Sequence, residues 1–94
     1  MQTTEKAVYA DFLHMKERPN VFPGKLSIPL GEPHNSPDLL KLHEGEQVLL
    51  VEPGSFHAKG WIHIVEQNGN AWYYGILEEE PQEDEGNHNY TFFA

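Results

Sequence analysis

The stretch Trp61–Leu77, WIHIVEQNGNAWYYGIL, constrains this chain more than any other. Two runs of β-branched and aromatic residues flank Asn68-Gly69, a dipeptide suited to the left-handed backbone of a tight hairpin turn. Trp61–Glu66 therefore runs up, the turn reverses it, and Ala71–Leu77 runs down. Register decides which aromatics go inside, since a slip of one residue moves every side chain to the other face. A three-residue loop with Gly69 left-handed puts Ile62, Ile64, Trp72, Tyr74 and Ile76 on one face, and Trp61, His63, Val65, Tyr73 and Leu77 on the other. A two-residue Asn68-Gly69 loop sets Trp72 and Tyr74 with Trp61 and Val65 instead. The first register makes one face almost wholly apolar, so the expected core carries Trp72 and Tyr74 and the expected surface carries Trp61 and Tyr73.

The rest of the chain supplies strands to join this hairpin. Ala7–Leu13 alternates as a strand with two partly covered faces. Lys25–Leu30 places Leu26, Ile28 and Leu30 on one face, but Pro29 cannot donate to a ladder and points to a sheet edge. Ser36-Pro37-Asp38 reads as an N-cap followed by proline at the first helical position, which starts a single helical turn that Gly45 stops. Glu46–Glu52 is the central-strand candidate, because Val48, Leu49, Leu50 and Val51 can be buried on both sides. Pro53-Gly54 ends it in a turn. A chain of 94 residues buries a thin core, so every large apolar residue is first read as structural.

Short strands, turn signals and one helical turn predict an all-β fold: a small, strongly bent barrel with an extra N-terminal strand. The segments LHEGEQVLLV (Leu42–Val51) and GWIHIVEQNGNAWYYGIL (Gly60–Leu77) resemble the opening turn and central strands of SH3-like small β-barrels, in which a Leu-x-x-Gly-acid-x-Val step precedes a strand, a loop and a hairpin. The front end, YADF followed by GKLSIPL, is similar to short uncharacterised bacterial proteins that join such a barrel to an N-terminal strand. The resemblance spans residues 7–77. It implies an SH3-like barrel, but the acidic loop and aromatic groove of peptide-binding SH3 domains do not align here, so proline-rich ligands are not implied.

Charge excludes whole classes of partner. Six Lys and Arg face fifteen Asp and Glu, a formal charge of −9, and polyanion binding depends on basic side chains neutralising phosphates. Nucleic acid and anionic membranes are expected to be repelled. Residues 48–94 carry only Lys59 against eight acids, six of them in Glu78, Glu79, Glu80, Glu83, Asp84 and Glu85. The absence of cysteine removes disulfides, thiolate nucleophiles and cysteine-ligated zinc. MQTTEKAVYADF has no apolar signal region, and no run is long enough to span a bilayer, so a cytoplasmic location is expected.

Catalytic patterns are missing where they were sought. His43 opens HEGEQ, but the fifth position of a His-Glu-x-x-His site is Gln47 and Gly45 interrupts the helix. Ser55 and His57 lie two residues apart without a nucleophile elbow. His57, His63 and His43 have no recognised ligand spacing, so no metal or other cofactor is expected and the chain is read as non-catalytic.

The C-terminus completes the organisation: residues 78–89 read as an acidic linker or loop, and residues 90–94 as an aromatic segment. Tyr90, Phe92 and Phe93 need cover, either by docking on the barrel or by adding to another protein or a second copy. The expected function is a protein-interaction module that docks a protein partner, or self-associates, through Trp61, His63, Tyr73, Tyr90, Phe92 and Phe93. The competing expectation is an acidic mimic of nucleic acid, in which residues 78–85 occupy a basic site.

Overall fold

The computed structural model describes residues 6–86 and 90–94. It is all-β: strands β1 (Lys6–Tyr9), β2 (Lys16–Arg18), β3 (Phe22–Gly31), β4 (Gln47–Glu52), β5 (Phe56–Gln67), β6 (Asn70–Leu77) and β7 (Gln82–Glu83), with short 3-10 turns at Phe12–His14 and Pro37–Lys41. The strands form one sheet in the order β1-β4-β5-β6-β3-β2, and β7 pairs the start of β5. The end strands β1 and β2 do not pair with one another, so the sheet is open.

The predicted central strand is central: β4 lies parallel to β1 and antiparallel to β5, with Val48, Leu50 and Val51 fully buried. The predicted hairpin also forms, but in the other register. Gln67 pairs Asn70 across a two-residue turn, with Asn68 at φ 52° and Gly69 at φ 82°. This is the doubly left-handed turn whose twist matches the strands. Val65 therefore faces Trp72, His63 faces Tyr74 and Ile64 faces Tyr73. The expected core pair Trp72 and Tyr74 is corrected: both are half-buried on the outer face, and Tyr73, expected outside, belongs to the core at 6% exposure.

Space explains the outcome. The inner face of the hairpin also carries Gly60 and Gly75, and Leu50 of β4 lies across them. A Cβ placed at Gly75 would stand 2.6 and 3.0 Å from the two Leu50 methyls. The sheet thus curls until a side chain on β4 reaches β6, two strands away, and glycine permits that approach.

Two further expectations are revised. The first strand stops at Tyr9 rather than Leu13, because Asp11 caps the 3-10 turn: its Oδ1 accepts from Leu13 N at 3.0 Å, a local bond that competes with the ladder. β3 is internal, between β6 and β2, despite Pro29. The proline lies beyond Ser27, the last β3 residue that β2 covers, and beside a register shift, so no β2 carbonyl is left without a donor there. The Ser36-Pro37 start holds in position as a 3-10 turn that sends Leu39 into the core, but Ser36 makes no side-chain cap bond, and the turn ends at Lys41, where Leu42 N closes on Leu39 O, rather than at Gly45.

Candidate functional site

The residues singled out in the sequence do not share one face. Trp61 and His63 lie on the outer face beneath Phe22, whose ring stands 5.5 Å edge-on from each. Lys25 Nζ lies 5.7 Å from the Trp61 ring, and His63 Nδ1 is 3.0 Å from Glu44 Oε2. These contacts form a small second cluster over the outer face, while Tyr73 is on the opposite side of the sheet. An aromatic docking face of Trp61, His63 and Tyr73 together is therefore not present.

The tail folds back on its own chain. Phe93 N donates to Ala7 O and Tyr9 N donates to Ala94 O, both at 2.8 Å, and Phe92 bridges Ala7 in parallel. This covers the edge that β1 would otherwise present. Phe93 is half-buried under Lys6, whose Nζ lies 4.5 Å from the ring. Phe92 remains 39% exposed, packed on Tyr9 at 6.4 Å and Tyr90 at 5.9 Å.

The acidic segment is not a free linker as far as Gly86; its residues 87–89 lie outside the described residues. Glu78 accepts from Gln47 Nε2 at 3.0 Å and Glu79 from Lys59 N at 2.9 Å. Glu80, Glu83 and Glu85 are exposed, Glu83 within β7. Asp84 turns inward at 4% exposure. Its Oδ2 accepts from Gly54 N (3.0 Å) and Gly86 N (3.2 Å), and its Oδ1 meets His57 Nδ1 (3.0 Å) and the Tyr90 hydroxyl (2.6 Å). The Tyr90 hydroxyl, then the Gly54 amide, hold this carboxyl down at about 2. Burial, reinforced by the Asp84 carboxylate, pushes Tyr90 up to about 12. An aspartate whose oxygens are filled by four donors is a clasp. It ties the β4–β5 turn, β7 and the tail together and offers no lone pair to a substrate. Among the described residues no group of three or more His, Asp or Glu is placed to hold a metal.

Around this clasp the surface turns apolar. Among the described residues, Tyr9 (52% exposed), Leu13 (86%), Phe56 (40%) and Phe92 are four of the five exposed large apolar residues, Leu40 being the other. All four lie where β1 and β4 end and β5 begins. Tyr9 and Phe92 stack on one side, Phe56 packs on Phe12 at 5.8 Å on the other, and Leu13 stands in the turn that carries Phe12. Sequence reasoning missed all three of Tyr9, Leu13 and Phe56: Tyr9 and Leu13 were read as parts of a strand with two partly covered faces, and Phe56 was not singled out.

Comparison of the chain with protein families, with curated proteins and with solved structures returns no match.

Proposed function

We propose that this chain is a non-catalytic protein-interaction module whose docking surface is the apolar end formed by Tyr9, Leu13, Phe56 and Phe92. The observation that carries this reading is the gathering of four exposed large apolar side chains at one end of the sheet. They are not scattered singly: Tyr9 meets Phe92, Phe56 packs on the turn that carries Leu13, and the segment Tyr9–Leu13 joins the two groups, and apolar area gathered in this way on a small protein marks an interaction site. The tail and Asp84 hold that end in shape, so its side chains are ordered before a partner arrives and less freedom is lost on binding. The scaffold is read as an SH3-like barrel left open, a reading supported by the β4-β5-β6 meander that follows the Leu42-x-x-Gly45-Glu46-x-Val48 step. The acidic-mimic reading has less support, since Asp84, Glu78 and Glu79 are engaged within the chain.

The test compares the wild-type chain with a Leu13→Ser, Tyr9→Ser variant as bait in an extract of its source cells. Proteins retained by the wild type and lost by an equally stable variant support the reading. Identical capture by the two baits refutes it.

A further inference from the structure

The segments that build the apolar end, residues 7–15, 47–58, 82–86 and 90–94, contain no Lys or Arg. They carry Asp11, Glu52, Glu83, Asp84 and Glu85. Asp84 is consumed by the clasp. Glu83 lies directly across the ladder from Phe56, so a carboxylate borders the apolar surface at one of its own residues. The acidic rim is thus built into the same strands that present the apolar side chains.

Resting on the docking reading above, we infer that the occupant of this end is a cationic amphipathic segment of a partner protein. Its apolar side chains lie on Tyr9, Leu13, Phe56 and Phe92, and its Lys or Arg residues face the carboxylates around them. Complementary charge steers encounter and selects the partner, while the apolar anchors set how long the complex lasts. A second copy is a poor occupant, since an isologous contact would set this acidic rim against itself on chains that each carry −9. Polynucleotides and anionic bilayers meet the same repulsion.

The experiment titrates the full chain with two synthetic helical peptides of identical amphipathic pattern, one of Leu and Lys and one of Leu and Glu, by calorimetry at low salt. The Leu/Lys peptide is expected to bind and the Leu/Glu peptide to fail. Leu13→Ser with Tyr9→Ser, and separately Glu83→Lys with Glu85→Lys, should each weaken binding about tenfold, which is about 1.4 kcal/mol. Added salt should weaken the wild-type complex more than the charge-reversed one. Equal binding of both peptides overturns the inference and leaves the docking surface standing, provided the Leu13→Ser, Tyr9→Ser bait still loses its captured proteins. Failure of the Leu/Lys peptide to bind, or binding that neither double variant weakens, also overturns it. So does a concentration-dependent dimer that Leu13→Ser abolishes, because a second copy would then be the occupant.

Discussion

Replacing Gly75 by alanine should destabilise the fold, against the usual sign of that change in a strand. Exchanging Gly for Ala ordinarily stabilises by roughly 0.5–1 kcal/mol, because the unfolded chain loses freedom. At position 75 the new methyl would stand 2.6 Å from Leu50 Cδ2, 3.0 Å from Cδ1 and 3.3 Å from Cγ. Leu50 is fully buried, so it has nowhere to swing. Overpacking of this kind costs roughly 1–3 kcal/mol, which leaves a net loss of about 1–2 kcal/mol. Leu50→Ala alone should cost about 2–5 kcal/mol through lost burial and the cavity it leaves. That substitution removes all three clashing atoms, so in the double variant the methyl added at position 75 enters the vacated space. The double variant should then be more stable than the two single losses predict, by about 1–2 kcal/mol, within the range for residues in contact. Urea unfolding followed by Trp61 and Trp72 fluorescence measures each term against the roughly 5–14 kcal/mol that a domain of this size has to lose. Additivity within about 0.5 kcal/mol would refute the claim that β4 curls over β6 through this pair.

Three further outcomes are expected. Tyr73→Ala should cost about 3–5 kcal/mol and Trp72→Ala less than half of that, since Tyr73 is core and Trp72 half-buried; equal melting of the two variants would reverse the register. Gly69→Ala should cost about 1–2 kcal/mol by forcing a side chain into the left-handed region at φ 82°, and an unchanged urea midpoint would show a different turn. Asp84 is held at about 2, below its ordinary 3.8, so its contribution is complete above about pH 4 and is lost as pH falls toward 2; Tyr90, raised from 10.0 to about 12, contributes fully below pH 10 and loses that contribution as pH rises toward 12. Melting temperatures across both windows should flatten in Asp84→Asn on the acid side and in Tyr90→Phe on the alkaline side, and slopes equal to wild type would remove the clasp from the account.

The longer strands and the helical turn were legible where a local signature marked them, in the apolar run Val48–Val51, the Asn68-Gly69 turn and the Ser36-Pro37 start, whereas the short strands β2 and β7 had none and were not foreseen. Register was not, because counting apolar residues along one hairpin assumes that only one of its faces is covered. Here both are. Phe22, remote in sequence, supplies the outer cover over Trp61 and His63, and Ile76 is fully buried on that same outer side. The decisive quantity was room rather than hydrophobicity. Gly60 and Gly75 leave a hollow that Leu50 fills, and only the face bearing Tyr73 contains it. The docking end was harder still to foresee, since Tyr9 meets Phe92 only when the tail returns to β1, and Phe56 reaches Phe12 only when β5 packs on the turn after β1.

The acidic composition was read as solvation, and the structure gives it a second use. Among the described residues, carboxylates accept from seven backbone N–H groups: those of Phe12, Leu13, His43, Gly54, Lys59, Ile64 and Gly86. Only two Lys–carboxylate pairs appear among the same residues, Lys6–Glu46 and Lys41–Asp38. A chain with six Lys and Arg cannot neutralise fifteen acids, but turns and strand ends leave backbone donors unpaired, and a carboxylate satisfies them with charge-assisted bonds. The negative charge is thereby fixed to the backbone rather than cancelled. Where such fixed charge borders exposed apolar side chains, as Glu83 does across from Phe56, an incoming cation would meet negative charge and apolar surface together. On the proposed docking reading, that is the physical reason a fold this acidic would take a basic partner at that end.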